Sequence, residues 1–246
     1  MTLAIDWGNS RLKAGWFEGH TLVKTARYVS AADLATALTE TPASRVIVSS
    51  TSHTDPVLRE ELNALPNGSN WLIFNASIPV PLLNNYETPH TLGADRLAAA
   101  VGAAGFFPGL PCLIFDLGTC LTADFVAATG TFMGGLISPG LQMRLRAMHT
   151  FTARLPLPHP LPGADNWPPL TARNTHEALL SGAMNGMALE LAGIRDAYAN
   201  RYPGLRVIVC GGDGPLFLNR LKPGIFAMPE LVLHGLNRIL LAQVPA

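Results

Sequence analysis

Two stretches decide the fold: Asp6-Trp7-Gly8-Asn9-Ser10-Arg11-Leu12-Lys13 and Asp116-Leu117-Gly118-Thr119-Cys120-Leu121-Thr122-Ala123. Each follows an apolar run, reads Asp-x-Gly-[Asn/Thr], and leads into another β-like segment. One such motif is explained well enough as a hairpin closure. Two at equivalent places in a chain of 246 residues point to a structural duplication. Each half is then expected to be a strand–strand–strand–helix–strand unit, with residues 1–110 and 111–246 as the two domains and the boundary near Gly109–Pro111.

Working outward, short β-like runs alternate with helical ones, the pattern of an α/β protein. Strands are predicted at Leu3–Trp7, Lys13–Phe17, Leu22–Tyr28, Arg45–Ser49 and Trp71–Phe74. Ser30 with Asp33 three residues on forms a capping box for a helix to about Leu38, and Pro56 opens another to about Leu65. Residues 75–91 carry Pro79, Pro81 and Pro89 and read as a long irregular segment, of the kind that is functional or disordered in compact domains. A helix at about Ala94–Ala104 precedes Cys112–Phe115. The proline-rich Arg154–Pro169 reads as a loop, Asn174 or Thr175 caps the longest helix, Leu205–Cys210 is a strand before Gly211-Gly212-Asp213-Gly214, and a last helix starts near Glu230.

Composition narrows the function classes. Lys plus Arg is 17 and Asp plus Glu is 17, so no net charge draws the chain to phosphate backbones or anionic lipid, and nucleic acid and membrane are not expected partners. Charged residues are 14% against 48% hydrophobic, so an unusual share of the surface is apolar and a second subunit is expected to cover part of it. The uncharged stretches Leu97–Phe115 and Phe125–Met143 are broken by glycine and proline and read as buried elements rather than membrane helices. The opening residues have no basic segment before an apolar run, which gives a cytoplasmic expectation. Cys112, Cys120 and Cys210 show neither an even count nor CxxC pairing, and read as small buried hydrophobes.

For chemistry, neither GxxxxGK[ST] nor GxGxxG after a strand is present, nor HExxH. The paired Asp-x-Gly turns remain. A glycine turn brings backbone N–H groups to an anion, a hydroxyl or amide adds a donor, and a strand-terminal Asp can hold a metal-bound water. Facing each other across a cleft, two such loops are how duplicated α/β kinases and ATPases hold the phosphates of ATP. Lys13 is a candidate phosphate ligand, with a solvated strand-edge lysine as the plain alternative. Gly93-Ala94-Asp95-Arg96 opens an apolar helix. Its acid suits the helix dipole, but its arginine opposes it, so an Asp–Arg pair that accepts a hydroxyl proton and binds a carboxylate or amide oxygen is the alternative.

These pieces together resemble the type III pantothenate kinases, a branch of the actin-like, sugar-kinase and chaperone-ATPase superfamily. The match runs through Asp6-x-Gly-Asn-Ser-x-x-Lys13, Tyr86-x-x-Pro-x-x-Leu-Gly-Ala-Asp-Arg96, Asp116-Leu-Gly-Thr-x-x-Thr122, Gly134-Gly-x-Ile-x-Pro-Gly140 and Asn174-Thr175-x-x-Ala178 with Gly182. Ser10 stands where the family usually has Thr, and Leu155–Pro169 matches no family function. The resemblance implies duplicated ribonuclease-H-like domains with mixed sheets flanked by helices and an interdomain cleft. It implies ATP-dependent phosphorylation of pantothenate, the first step of coenzyme A synthesis, by a homodimer. By position, Asp6 to Lys13 form the first phosphate loop and Thr119 contacts ATP in the second. Asp116 binds a monovalent cation, K+ or NH4+, and Asp6 supports Mg2+ through water. Tyr86, Gly93, Ala94, Asp95 and Arg96 hold pantothenate, Asp95 is the general base, and Thr175 completes the pocket from the neighbouring subunit. Another small-molecule kinase of the superfamily, or a non-catalytic regulator on this fold, is the alternative. The stripe Leu179, Leu180, Ala183, Met184, Met187, Ala188 and Leu191 on the helix after Thr175 is expected to face the second copy, with burial inside its own subunit as the plain reading.

Overall fold

Near-continuous apolar runs, buried on both faces, form β1 (Thr2–Trp7) and β2 (Leu12–Glu18), and the more exposed β3 (Thr21–Tyr28) completes three antiparallel strands. The computed structural model describes residues 1–8, 12–50, 55–66, 68, 71–75, 77–160, 166–221 and 224–243. α1 (Ala31–Glu40) follows, begun by the expected box: the Asp33 N–H donates to Ser30 Oγ, and Asp33 Oδ2 accepts from the Ser30 N–H at 3.1 Å. Then come β4 (Arg45–Ser50), α2 (Asp55–Asn63) and β5 (Leu72–Ile73), and the sheet order is β3-β2-β1-β4-β5. β1 is antiparallel to β2 and parallel to β4, so the sheet is mixed. One face packs Leu3, Ile5, Trp7, Leu12, Trp16 and Val48 against Leu34 and Leu38 of α1 and Leu58 and Leu62 of α2.

The irregular segment after β5 is pinned by Gln243 Nε2, which donates to the Pro79 carbonyl at 2.8 Å, and by strand pairing. The two-residue strand β6 (Leu83–Asn84) pairs with Thr131 and Phe132, and a 3-10 turn at Pro89–Thr91 leads to α3 (Ala94–Phe106).

The opening pattern then returns with β7 (Cys112–Leu117), β8 (Cys120–Ala127), β9 (Thr131–Pro139), α4 (Leu141–Thr150), α5 (Thr175–Arg201), β10 (Arg206–Cys210), α6 (Gly214–Phe217) and β11 (Ile225–Ala227). Five of these strands run β11-β10-β7-β8-β9. Read from the other edge this is the first sheet again, with β7 antiparallel to β8 and parallel to β10, and β10 parallel to β11. The expected duplication is therefore present at the level of strand order and direction.

By contacts the chain forms one unit of Met1–Gly109, Thr129–Met133 and Glu230–Ala246 and another of Leu110–Ala128 and Gly134–Pro229. A division at 110/111 would leave the last helix, α7 (Leu231–Ala242), in the second half; it packs instead on β1, β4 and α3 of the first. The reason lies in its residues. Leu231, Leu233, Leu236, Ile239 and Leu240 are buried, each a gross gain of about 2 kcal/mol. Thr2 Oγ1 donates to Asn237 Oδ1 at 2.5 Å, Asn237 Nδ2 donates to the Gly19 carbonyl at 2.8 Å, and Arg45 donates to the Leu240 carbonyl at 2.6 Å. Where α7 crosses α3, a Cβ on Gly235 would lie 1.7 Å from the Ala98 carbonyl oxygen, so only glycine permits the crossing.

Candidate active site

In the first unit, β1 carries Asp6 at its end, and the ladder places Lys13 of β2 on one side of it and Ser49 of β4 on the other. Cross-strand partners share a face of the sheet, so Lys13, Asp6 and Ser49 form a polar row. Lys13 and Asp6 are half-buried and Ser49 is fully buried. Trp7 and Leu12 belong to the core, so their side chains leave only backbone groups to face a ligand; Gly8 is half-buried. Asn9, Ser10 and Arg11, expected in the same loop, lie outside the described residues.

The second unit repeats the arrangement. Asp116 ends β7, paired with Thr122 of β8 and Cys210 of β10. The intervening turn is one residue shorter, since Leu117 pairs with Leu121 where Trp7 pairs with Leu12. Its backbone is held from two sides. The Gly118 N–H donates to the Cys120 carbonyl at 3.0 Å and the Gly140 N–H to the Thr119 carbonyl at 3.2 Å, while the Asp213 N–H reaches the Leu117 carbonyl at 2.9 Å. Gly211 has φ +85°, and a Cβ there would run into the Asp116 carboxylate and sit 2.5 Å from the Leu117 nitrogen, so this turn after β10 needs glycine for both conformation and space. Thr119 is exposed, Asp116 is half-buried, and burial pushes the Asp213 carboxyl above the usual carboxylate value.

Tyr86, Gly93, Ala94, Asp95 and Arg96 lie together in the first unit. Asn84 Oδ1 accepts from the Tyr86 N–H at 3.0 Å, and Tyr86 stands beside Phe132 with ring centroids 6.1 Å apart. Gly93 is the N-cap of α3 and offers no capping side chain, and Asp95 Oδ1 accepts from the Arg96 N–H at 2.8 Å. Arg96 is only 7% exposed and its guanidinium lies 5.7 Å over the Tyr86 ring. Stacking on an aromatic face offsets the mismatch between its charge and the positive helix end.

Thr175 is the first residue of α5 and is exposed; Asn174 is the cap, its Oδ1 accepting from the Glu177 N–H at 2.9 Å. The stripe expected to meet a second copy does not do so in this form. Leu179, Ala183, Met184, Met187 and Leu191 are buried in the second unit's own core, with Leu180 and Ala188 packed against it. Periodicity identified a buried face, and the sheet of the same subunit buries it. The opposite side of α5 is open: a cavity of about 480 Å³ is lined by Leu170, Ala178, Gly182, Gly186 and Leu189, and none of the described residues approaches a Cβ placed on either glycine within 4 Å. The end of the proline-rich stretch is fixed by packing beside it. Trp167 Nε1 donates to Asn185 Oδ1 at 2.7 Å, its ring meets Phe217 edge-on, and Arg220 lies 4.6 Å above it.

Signals missed in the sequence are Ser49, whose link to Asp6 is a matter of strand register, and Arg144. Arg144 donates to the Pro139 carbonyl at 2.7 Å and pairs with Glu190, tying the end of β9 to α5.

Comparison with known proteins gives the geometry a family. A family model described as type III pantothenate kinase matches residues 2–197. The chain is 42% identical over 240 residues to the type III pantothenate kinase of Cytophaga hutchinsonii, with 98% of each chain covered, and 40% identical over 242 residues to that of Bacteroides fragilis, covering 98% of this chain and 97% of that one. Among solved structures, a protein of Sinorhizobium meliloti described as a candidate 2-dehydro-3-deoxygalactonokinase aligns over 100% of both chains at TM-score 0.58 and 16% identity. The polyphosphate/ATP-glucomannokinase of Arthrobacter aligns over 99% of both at TM-score 0.52 and 16% identity. These two share the fold, two mixed sheets flanked by helices in the manner of the sugar kinases. Sequence, strand order and the matched loops agree: the chain belongs to the type III pantothenate kinase family.

Proposed function

We propose that this chain transfers the γ-phosphoryl group of ATP to the primary hydroxyl of pantothenate, with Asp95 as general base. The observation that carries the reading is the pair of Asp-ended strand–turn–strand loops at equivalent register, Asp6 and Asp116, in a chain of this family. Phosphoryl transfer asks for positioning and charge neutralisation more than covalent chemistry. The first loop presents backbone groups and Lys13 to phosphate oxygens, and the second presents the exposed Thr119. Asp95, in the first turn of α3, takes the proton from the attacking hydroxyl. Arg96 and Tyr86 bind the carboxylate and amide oxygens of pantothenate, which suits a buried guanidinium stacked on a ring.

Among the described residues no three His, Cys, Asp or Glu side chains gather into a metal-holding group. One carboxylate per loop fits ions carried with the nucleotide: Asp6 toward Mg2+ through water, Asp116 with neighbouring turn carbonyls toward K+ or NH4+. When bound, these ions neutralise charge on the phosphates.

A homodimer is part of the same reading. The open face of α5 supports it, because Leu170 and Leu189 are 76% and 67% exposed beside Gly182 and Gly186, a surface that a second copy could approach closely. Thr175 begins that same helical stripe, so a two-fold contact there carries it toward the partner's site.

The test is ADP release with pantothenate added or omitted, in potassium and in sodium. Pantothenate-dependent release that falls in sodium is expected. Release indifferent to pantothenate overturns the substrate, and full activity with magnesium and sodium alone overturns the monovalent site.

A further inference from the structure

β4 runs Arg45-Val46-Ile47-Val48-Ser49-Ser50, an apolar strand that ends in two hydroxyls. Ser50 is accounted for, since its Oγ donates to the Trp7 carbonyl at 3.2 Å. Ser49 is not. It is 0% exposed, and its Oγ has no hydrogen-bond partner among the described residues. A buried hydroxyl left unpaired costs about 1–3 kcal/mol, and an alanine would fill the same place without that cost.

Register shows what the hydroxyl is beside. Ser49 is the ladder partner of Asp6, so the two side chains leave the same face of adjacent strands about 4.8 Å apart. Rotation of the serine about χ1 between staggered wells redirects Oγ along the strand edge without moving the backbone. The second unit has Cys210 at the matching place opposite Asp116, and a thiol is a much weaker donor. The two sites thus differ at this position, with a hydroxyl beside Asp6 and a thiol beside Asp116. Because Ser49 is fully buried, it cannot reach a ligand itself and can act only through its neighbour.

We propose that Ser49 is a positioning residue for Asp6: in the nucleotide-loaded enzyme its Oγ–H donates to one carboxylate oxygen of Asp6 and leaves the other aimed at the hydrated magnesium that arrives with ATP. The proposal rests on the kinase reading above and adds a residue that the loop motif does not contain. It assigns the orphaned hydroxyl a partner beside the first loop.

The experiment compares wild type with Ser49→Ala by calorimetric titration with ADP, once with magnesium and once with a chelator, together with thermal unfolding of the unliganded proteins and KM values for both substrates. The expected result is an unliganded melting temperature equal to or above wild type, affinity for magnesium-ADP about five- to tenfold weaker, affinity for metal-free ADP unchanged, and a raised KM for ATP with an unaltered KM for pantothenate. Equal magnesium-ADP affinity in the two proteins overturns the proposal, as does equal weakening with and without magnesium, which a general structural defect would give. A wild-type protein that binds no magnesium-ADP overturns the kinase reading itself and the role of Ser49 with it.

Discussion

Asp95 shows what one side chain contributes and what it does not. Its carboxylate already accepts the Arg96 N–H, so Asp95→Asn keeps the shape of the helix start and removes only the proton acceptor. The expected result is a kcat lower by roughly two to four orders of magnitude, with calorimetric pantothenate affinity retained; a near-normal kcat would take the base assignment away. The Asp-x-Gly turns, the Gly93–Arg96 block and the Asn174 cap were legible as residues because each is a local pattern. Ser49 was not, since its neighbour Asp6 is distant in sequence and adjacent only through the β1–β4 ladder.

Elements were legible where their burial is periodic and hidden where pairing is long-range. α4 contributes just Leu141 and Leu145 to the core and so carries a faint signature, and β6 exists only because Leu83 and Asn84 meet Thr131 and Phe132. α7 shows its apolar face in sequence, but where it docks is set by Gly235 against α3 and by Asn237 against Thr2 of β1. Gly235→Ala puts a methyl into the Ala98 carbonyl with backbone on both sides, and a loss of about 3 kcal/mol is expected in urea unfolding. His234 of the same helix lies edge-on to Phe17 and Phe106, at 5.3 and 4.9 Å. Burial first, and the Arg238 charge second, hold its imidazole below the ordinary 6.5. The unfolded chain therefore takes up a proton before the folded one does, and stability present above pH 6.5 is lost as pH falls through that value toward the folded one. Urea midpoints at pH 7.5 and 5.5 should drop more in wild type than in His234→Phe; equal drops would contradict a neutral His234 in the fold.

At the scale of the molecule, duplication was legible from two motifs, and strand order in the two sheets repeats it. What covers the apolar stripe of α5 was not legible, because such a stripe tells that something covers it and not whether that cover is the same chain. Leu189→Glu places a charge on the open face without touching the core, so it should fold normally and sediment as a monomer, with activity reduced if Thr175 serves the partner's pocket. Met184→Glu, at 1% exposure, should instead fail to fold. An active, monomeric Leu189→Glu protein would remove the shared pocket. The central claim, a kinase acting on the pantothenate hydroxyl, is tested most directly by mass spectrometry of the product formed from ATP and pantothenate by the purified chain. The account predicts 4'-phosphopantothenate in equal amount to ADP. ADP formed with pantothenate left unmodified would contradict it.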